Sequence, residues 1–242
     1  MVVSELEKRQ ASLVELQARL DACRHCPKMI GPVVHGGPVV SPVMLIGQAP
    51  GPHEGEFGKP FAWTAGKTLF RWLESSLGVG EELFRERVYM AAMARCFPGK
   101  AKGGGDRKPD PDEIARCREF LLAELELLEP ALLIPVGTLA IEQVLGRKVP
   151  LAEVVGQVLP VEFGGRKVEA ICLPHPSGAS TWFKVEPGLG LLRRALTLLG
   201  AHPEAKALFS GAQSSARNSS ATAASRRRAK GTRPGRGTES TT

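Results

Sequence analysis

Three short apolar runs, Val43–Ile46, Val88–Met93 and Leu132–Val136, are separated by longer segments with helical spacing. This alternation is the strongest constraint on the fold. A strand buried on both faces reads as a continuous apolar run rather than an alternating one. Such strands interleaved with helices are accommodated by a mainly parallel sheet covered by helices. Residues 4–22 carry Leu6, Leu13, Leu16 and Leu20 at helical spacing, with Ser4 placed to cap the first turn. Further helices are expected at about 67–77, 112–128, from Gly137-Thr138 to about Leu145, and 187–199; Asp110 or Asp112 caps the second, with Pro111 in its first turn. Residues 157–163 and 167–173 read as a hairpin around Gly164-Gly165. The fold class expected is α/β: a three-layer α/β/α sandwich around a central, mainly parallel four-stranded sheet.

The 242 residues suit one domain, expected over residues 1–200, followed by a disordered basic tail at 201–242. Of the net charge of +7, +6 lies in that tail, so the body is nearly neutral and the high isoelectric point describes the tail alone. The cluster Arg226–Arg228 suits non-specific contact with phosphates. No apolar run is long enough to span a bilayer, and the charged N-terminus does not read as a secretory signal. A cytoplasmic setting, with no membrane partner, is the expectation.

Five cysteines, two of them in Cys23-Arg24-His25-Cys26, argue against a disulfide scaffold in a chain of this size. Cys96 follows the second strand and Cys117 lies on a helix, whereas Cys172 sits inside an apolar strand and reads as a small hydrophobe. One close pair with two distant cysteines suits either a [4Fe–4S] cluster or a zinc ion.

Two loops leave strand C-terminal ends, the side where ligands bind in open α/β sheets. Residues 47–66, rich in glycine and proline, form a long loop without periodicity; the other begins at Pro174-His175-Pro176-Ser177. Gly47-Gln48-Ala49-Pro50-Gly51 with His53 and Glu54, then Gly58-Lys59-Pro60-Phe61 and Ala65-Gly66, then His175-Pro176-Ser177, resemble the motifs of the uracil-DNA glycosylase superfamily. The likeness is to its iron–sulfur branches, families four and five, and covers about residues 20–198. The order and spacing of Cys23, Cys26, Cys96 and Cys117 match as well, as do Arg95-Cys96-Phe97-Pro98 and Pro109–Glu113.

The resemblance implies a monomeric enzyme of base excision repair acting on DNA that contains a damaged base. Such an enzyme flips out uracil or a related deaminated base and removes it by hydrolysis. It implies a [4Fe–4S] cluster held by Cys23, Cys26, Cys96 and Cys117. His175 would donate a hydrogen bond to the pyrimidine, and Phe61 would stack on it. Gly47, Ala49, Pro50 and Gly51 would approach base and phosphate, and Ser177 would grip the backbone. Gln48 and His53 are candidates for positioning water or contacting the base, and Glu54 for aligning water. The motifs suggest no lysine nucleophile, so no lyase step is expected. The chain departs from family four at Gln48, where that family has Glu, and at Ala91–Ala94, where it has an Asn that reads the uracil edge. The second departure resembles family five.

Lys100, Lys102, Arg107 and Lys108 fall in a basic loop, read as flexible, over 97–111. Trp182 and Phe183 read equally as a wedge for the gap left by an extruded base or as packing residues. The alternative to an enzyme is an iron–sulfur relative that binds damaged DNA without turnover.

Overall fold

The computed structural model describes residues 4–210. Strands β1 (Val43–Gly47), β2 (Tyr89–Ala92), β3 (Leu132–Pro135), β4 (Leu159–Phe163) and β5 (Arg166–Ala170) make one sheet in the order β2-β1-β3-β5-β4. β1 runs parallel to β2 and β3, and β3 parallel to β5. The sheet has five strands rather than four, because the first arm of the expected hairpin, β4, extends it as an antiparallel edge on β5.

The helices are α1 (Glu5–Asp21), α2 (Glu54–Phe57), α3 (Thr64–Leu77), α4 (Glu81–Arg87), α5 (Pro111–Leu128), α6 (Thr138–Leu145), α7 (Leu151–Val154), α8 (Gly188–Ala201) and α9 (residues 203–210). Two have reciprocal caps: Ser4 with Glu7 opens α1, and Asp110 with Glu113 opens α5 behind Pro111. Side chains alternate across a strand, and β1 serves both layers. Val43 and Leu45 pack with Leu69 and Leu73 of α3 and Leu192 and Leu199 of α8. Met44 and Ile46 pack with Leu13 of α1 and Leu121 and Leu125 of α5. This is why the run reads as continuously apolar.

The expected disorder of residues 201–242 is corrected over its first part. Residues 203–210 are helical, and His202, Ala205 and Phe209 are buried, with Phe209 stacked on Phe84 at 6.2 Å. The spacing of Ala205 and Phe209 presents one apolar face, which the polar composition beyond them obscures. The rest of the proposed tail, including Arg226–Arg228, lies outside the described residues. Among the described residues no helix is long and apolar enough to cross a membrane.

Candidate active site and cysteine cavity

Hydrogen bonds at the strand ends bring the motif loops to one edge of the sheet. The Met93 and Ala94 amides donate to the carbonyls of Gly47 and Gln48 (3.0 and 3.1 Å), extending the β1–β2 pairing into the first loop. The Val136 amide donates to Ile46, and the Gly137 amide to Leu173, each at 2.9 Å. Gly47, Gly137 and the His175 segment therefore sit side by side at the C-terminal ends of β1, β3 and β5.

The first loop is not continuously irregular, since α2 interrupts it. Phe61 is buried at 8% exposure and adopts a left-handed φ of 54°. That conformation strains a residue with a Cβ and persists only when its surroundings enforce it. Three contacts do so. A side chain on Gly66 would start 1.6 Å from the Phe61 carbonyl oxygen, so only glycine fits there. Arg85 Nη2 donates to that oxygen at 3.2 Å. The ring lies against Gly47, where a Cβ would come within 3.1 Å of it.

His175 has a similar seat. Gly137, at φ 89°, presents no side chain, and a Cβ there would lie 3.0 Å from the imidazole Cδ2. The Ser177 amide donates to Nδ1 of His175 at 3.3 Å. With Nδ1 accepting, the proton of a neutral ring resides on Nε2. Burial lowers the His175 pKa below its ordinary value, with the Asp106 charge acting in the opposite direction. The ring is thus held neutral, as a donor.

Glu54 is buried, and its carboxylate accepts amides from both motif segments: Gly51 at 3.0 Å, Phe61 and Ala62. Burial raises its pKa in spite of these bonds. Its geometry is that of a clamp between the first loop and Phe61. His53 packs on Trp63 with ring centroids 4.6 Å apart and lies 3.7 Å from Glu56, on the outer side of α2. Gln48 is half-buried at the end of β1, beside half-buried Ala49 and Gly51 and buried Pro50.

The stretch expected to be a flexible basic loop is internally bonded. Lys100 and Asp106 form an antiparallel bridge, the Arg107 amide donates to Gly99 at 3.0 Å, and Gly99, Gly104 and Gly105 supply positive φ. Arg107 grips Glu113 through two bonds of 2.7 and 2.6 Å, holding that carboxyl below the usual range and fastening the loop to α5. Lys100 pairs with Asp106 Oδ1 at 2.6 Å. Two of the four basic side chains are therefore engaged internally, while Lys102 and Lys108 remain exposed. The loop also brings in a residue that sequence reasoning missed. Asp106 Oδ2 lies 3.9 Å from where a Cβ on Gly51 would be, and its charge bears on His175. Trp182 and Phe183 are packing residues: both lie against the core, with Phe183 edge-on to Trp72 at 4.9 Å.

The four cysteines converge. Residues 30–36 run beside β2 and its extension, with mutual Ile30–Phe97 bonds and the Val34 amide on Arg95 (2.7 Å), which brings the Cys26 segment beside Cys96. Cys23 packs with Leu16, Leu20 and Phe120, where α1 meets α5. Cys23, Cys26, Cys96 and Cys117 line one cavity of about 340 Å³. Burial and the three neighbouring cysteines push the Cys96 thiol up to about 11. Among the described residues no three His, Cys, Asp or Glu side chains close to the spacing of a single bound ion.

The cavity fits a larger anionic group. Arg95 lines it and is fully buried, and its Nη1 is the one buried side-chain nitrogen or oxygen among the described residues with no hydrogen-bond partner. The remaining guanidinium bonds go to Ala92 (2.9 Å) and Glu124, which also accepts from Tyr89 at 2.7 Å. Arg24 and Arg116 act on Cys96 and Cys26, lowering thiol pKa values that burial raises.

The mainly parallel sheet thus carries, at its strand ends, a phenyl ring seated on Gly47 and an imidazole seated on Gly137. The chain belongs to the uracil DNA glycosylase superfamily, whose profile matches residues 34–207. It is 31% identical over 174 residues to the Type-4 uracil-DNA glycosylase of Thermotoga maritima, covering 70% of this chain and 83% of that protein. The Type-4 uracil-DNA glycosylase of Archaeoglobus fulgidus is also 31% identical, over 69% of this chain and 82% of its own length. A Type-5 uracil-DNA glycosylase of Thermus thermophilus is 28% identical over 52% of this chain and 68% of its own length.

Proposed function

We propose that this chain is a DNA glycosylase that turns uracil, or a related deaminated base, out of the DNA and hydrolyses its N-glycosidic bond, leaving an abasic site. The observation that carries this reading is the tautomer of His175. Cleavage leaves negative charge on the departing base, and a pre-aimed neutral donor stabilises it without reorganisation. Ser177 holds Nδ1, so Nε2–H is available to the base oxygen. Phe61 on Gly47 offers the stacking wall, and the backbone of Ala49, Pro50 and Gly51 lines the approach. Glu54 acts as a positioning residue, because its buried carboxylate accepts the Gly51 amide of its own loop.

We assign Cys23, Cys26, Cys96 and Cys117 as ligands of a [4Fe–4S] cluster, supported by their shared cavity and by the unpartnered Nη1 of Arg95 in its lining. When bound, it supplies a rigid anionic tie between the N-terminal segment and α5. Lys102 and Lys108, exposed on the intervening loop, are placed to meet phosphates. The enzyme reads as a cytosolic monomer.

Incubation of the full chain with single- and double-stranded oligonucleotides carrying uracil, hypoxanthine, xanthine or hydroxymethyluracil, followed by alkali, tests the reading. Free base and alkali-dependent strand breaks are expected, with no break before alkali. No release from any of the four would reject it. A second reading, a damage-binding relative without turnover, draws on Gln48 and Ala49, which leave the first motif without a free carboxylate. Tight binding to uracil-containing DNA with no release would select it.

A further inference from the structure

We propose that Asp106 is the carboxylate that holds and deprotonates the attacking water. The assignment rests on the glycosylase reading and answers the question that the first motif leaves open. Hydrolysis needs a water oxygen aimed at the anomeric carbon while positive charge builds on the sugar. A carboxylate serves both needs, as base and as counter-charge.

The loops at the sheet edge offer few acids. Positions 48 and 49 are Gln and Ala. Glu54 is buried and its Oε2 accepts the Gly51 amide at 3.0 Å, with the Phe61 and Ala62 amides also acting on the carboxylate, so it is turned to the backbone of its own loop. Glu56 is 71% exposed and turns to His53 on the outer side of α2. Asp106 arrives from a different segment, the hairpin between Cys96 and Cys117. Its Oδ1 is taken by Lys100 at 2.6 Å, while Oδ2 lies 3.9 Å from the Cβ position of Gly51, in the motif that approaches the base. Its charge also bears on His175, the imidazole donor of the other motif loop.

The hairpin is built to hold this position. The Lys100–Asp106 bridge and the Arg107–Gly99 bond close it, and the Arg107–Glu113 pair anchors it to the first turn of α5. Lys100 restricts the carboxylate to one orientation, and side-chain exposure of 41% leaves room for a water on the other oxygen. In the step itself, the water oxygen bonds to the anomeric carbon and its proton passes to Asp106 Oδ2. The electron pair of the breaking carbon–nitrogen bond leaves with the base, whose oxygen accepts from His175 Nε2–H. Asp106 then loses its proton to solvent, and the base takes one from solvent.

The test is single-turnover base release from a uracil-containing single-stranded oligonucleotide, using the full chain, with affinity for the same oligonucleotide measured separately. Asp106→Asn should slow release by about a hundredfold or more with little change in affinity. Asp106→Ala should be equally slow, and added formate, an external carboxylate, should restore part of its rate. Asp106→Glu should retain more activity than Asp106→Asn. A wild-type rate in Asp106→Asn would overturn the assignment alone, as would a loss that formate leaves untouched and that comes with a lowered melting temperature. Absence of release by the wild-type chain would instead remove the glycosylase reading, and this assignment with it.

Discussion

The amide of Ser177 donates to Nδ1 of His175 at 3.3 Å, and this bond fixes which face of the imidazole carries a proton. Two residues of one tripeptide thus set the polarity of the site: the backbone of one holds the ring of the other as an Nε2–H donor. Removing that donor should be costly. His175→Ala is expected to lower single-turnover base release by at least about a hundredfold while DNA affinity is kept, because only the charge formed during cleavage loses its partner. Full rate in the variant would strip His175 of its role.

Acid pH should act on the same group. Burial holds the folded His175 pKa below the ordinary value of about 6.5. As pH falls, the unfolded chain takes up this proton first. The group's contribution to stability is complete above about pH 6.5 and is lost as pH drops toward the folded value. Activity that uses the neutral ring should persist through about pH 6.5 and fail only below it. A rate profile with its acid limb centred at or above 6.5 would contradict a neutral, buried donor.

Glu54 joins two loops through one carboxylate. In Glu54→Gln one acceptor oxygen becomes an amino group, and where it replaces Oε2 it faces the Gly51 amide donor to donor in a buried position. A stranded buried donor costs about 1–3 kcal/mol. The variant should melt earlier and release base more slowly. If calorimetry shows an unchanged midpoint, the clamp is not needed for the Phe61 conformation.

Gly66 admits no substitution without backbone movement, since the new Cβ would sit 1.6 Å from the Phe61 carbonyl. Gly66→Ala should displace Phe61 from Gly47 or shift the start of α3, at a cost of several kcal/mol on the scale of about 1–3 for over-packing and more where backbone must move. Urea titration would show it. Gly58→Ala, at φ 63° but with open space around it, should cost less.

The cysteine assignment predicts colour and iron. Anaerobically purified protein should absorb near ~400 nm and contain iron and sulfide in equal amounts. Cys96→Ser should lose much of both, and should also lower the melting temperature, because a bound group that requires the folded arrangement stabilises it. One equivalent of zinc with no iron would replace the cluster by a different metal centre.

Much of this arrangement was legible in the chain. The apolar runs gave the parallel strands because both of their faces are covered, as Leu45 and Ile46 demonstrate by packing into opposite layers. The first loop and His175 were legible because glycine and proline mark backbone that does something other than form regular structure. Asp106 was not. Its importance depends on the fold-back of residues 99–107, and its own neighbours, three glycines and an arginine, read as a solvated linker until Arg107 meets Glu113. Glu54 was legible as a residue near the motif, but its burial, which converts it from a water-holding acid into a clamp, depends on where Phe61 and Ala62 return. Residues 203–210 were hidden by the composition of the stretch that follows them: Ala205 and Phe209 are buried and Leu208 packs beside them, a short apolar face before a long polar segment.

The hairpin that bears Asp106 departs from Cys96 and rejoins the molecule just before the helix that carries Cys117. Both its anchor points therefore abut the sulfur-lined chamber, and swelling or collapse there would be transmitted along a few bonds to Asp106. A cluster bound by Cys23, Cys26, Cys96 and Cys117 would in this position act as a spacer, setting how the loop between Cys96 and Cys117 stands against the rest of the molecule.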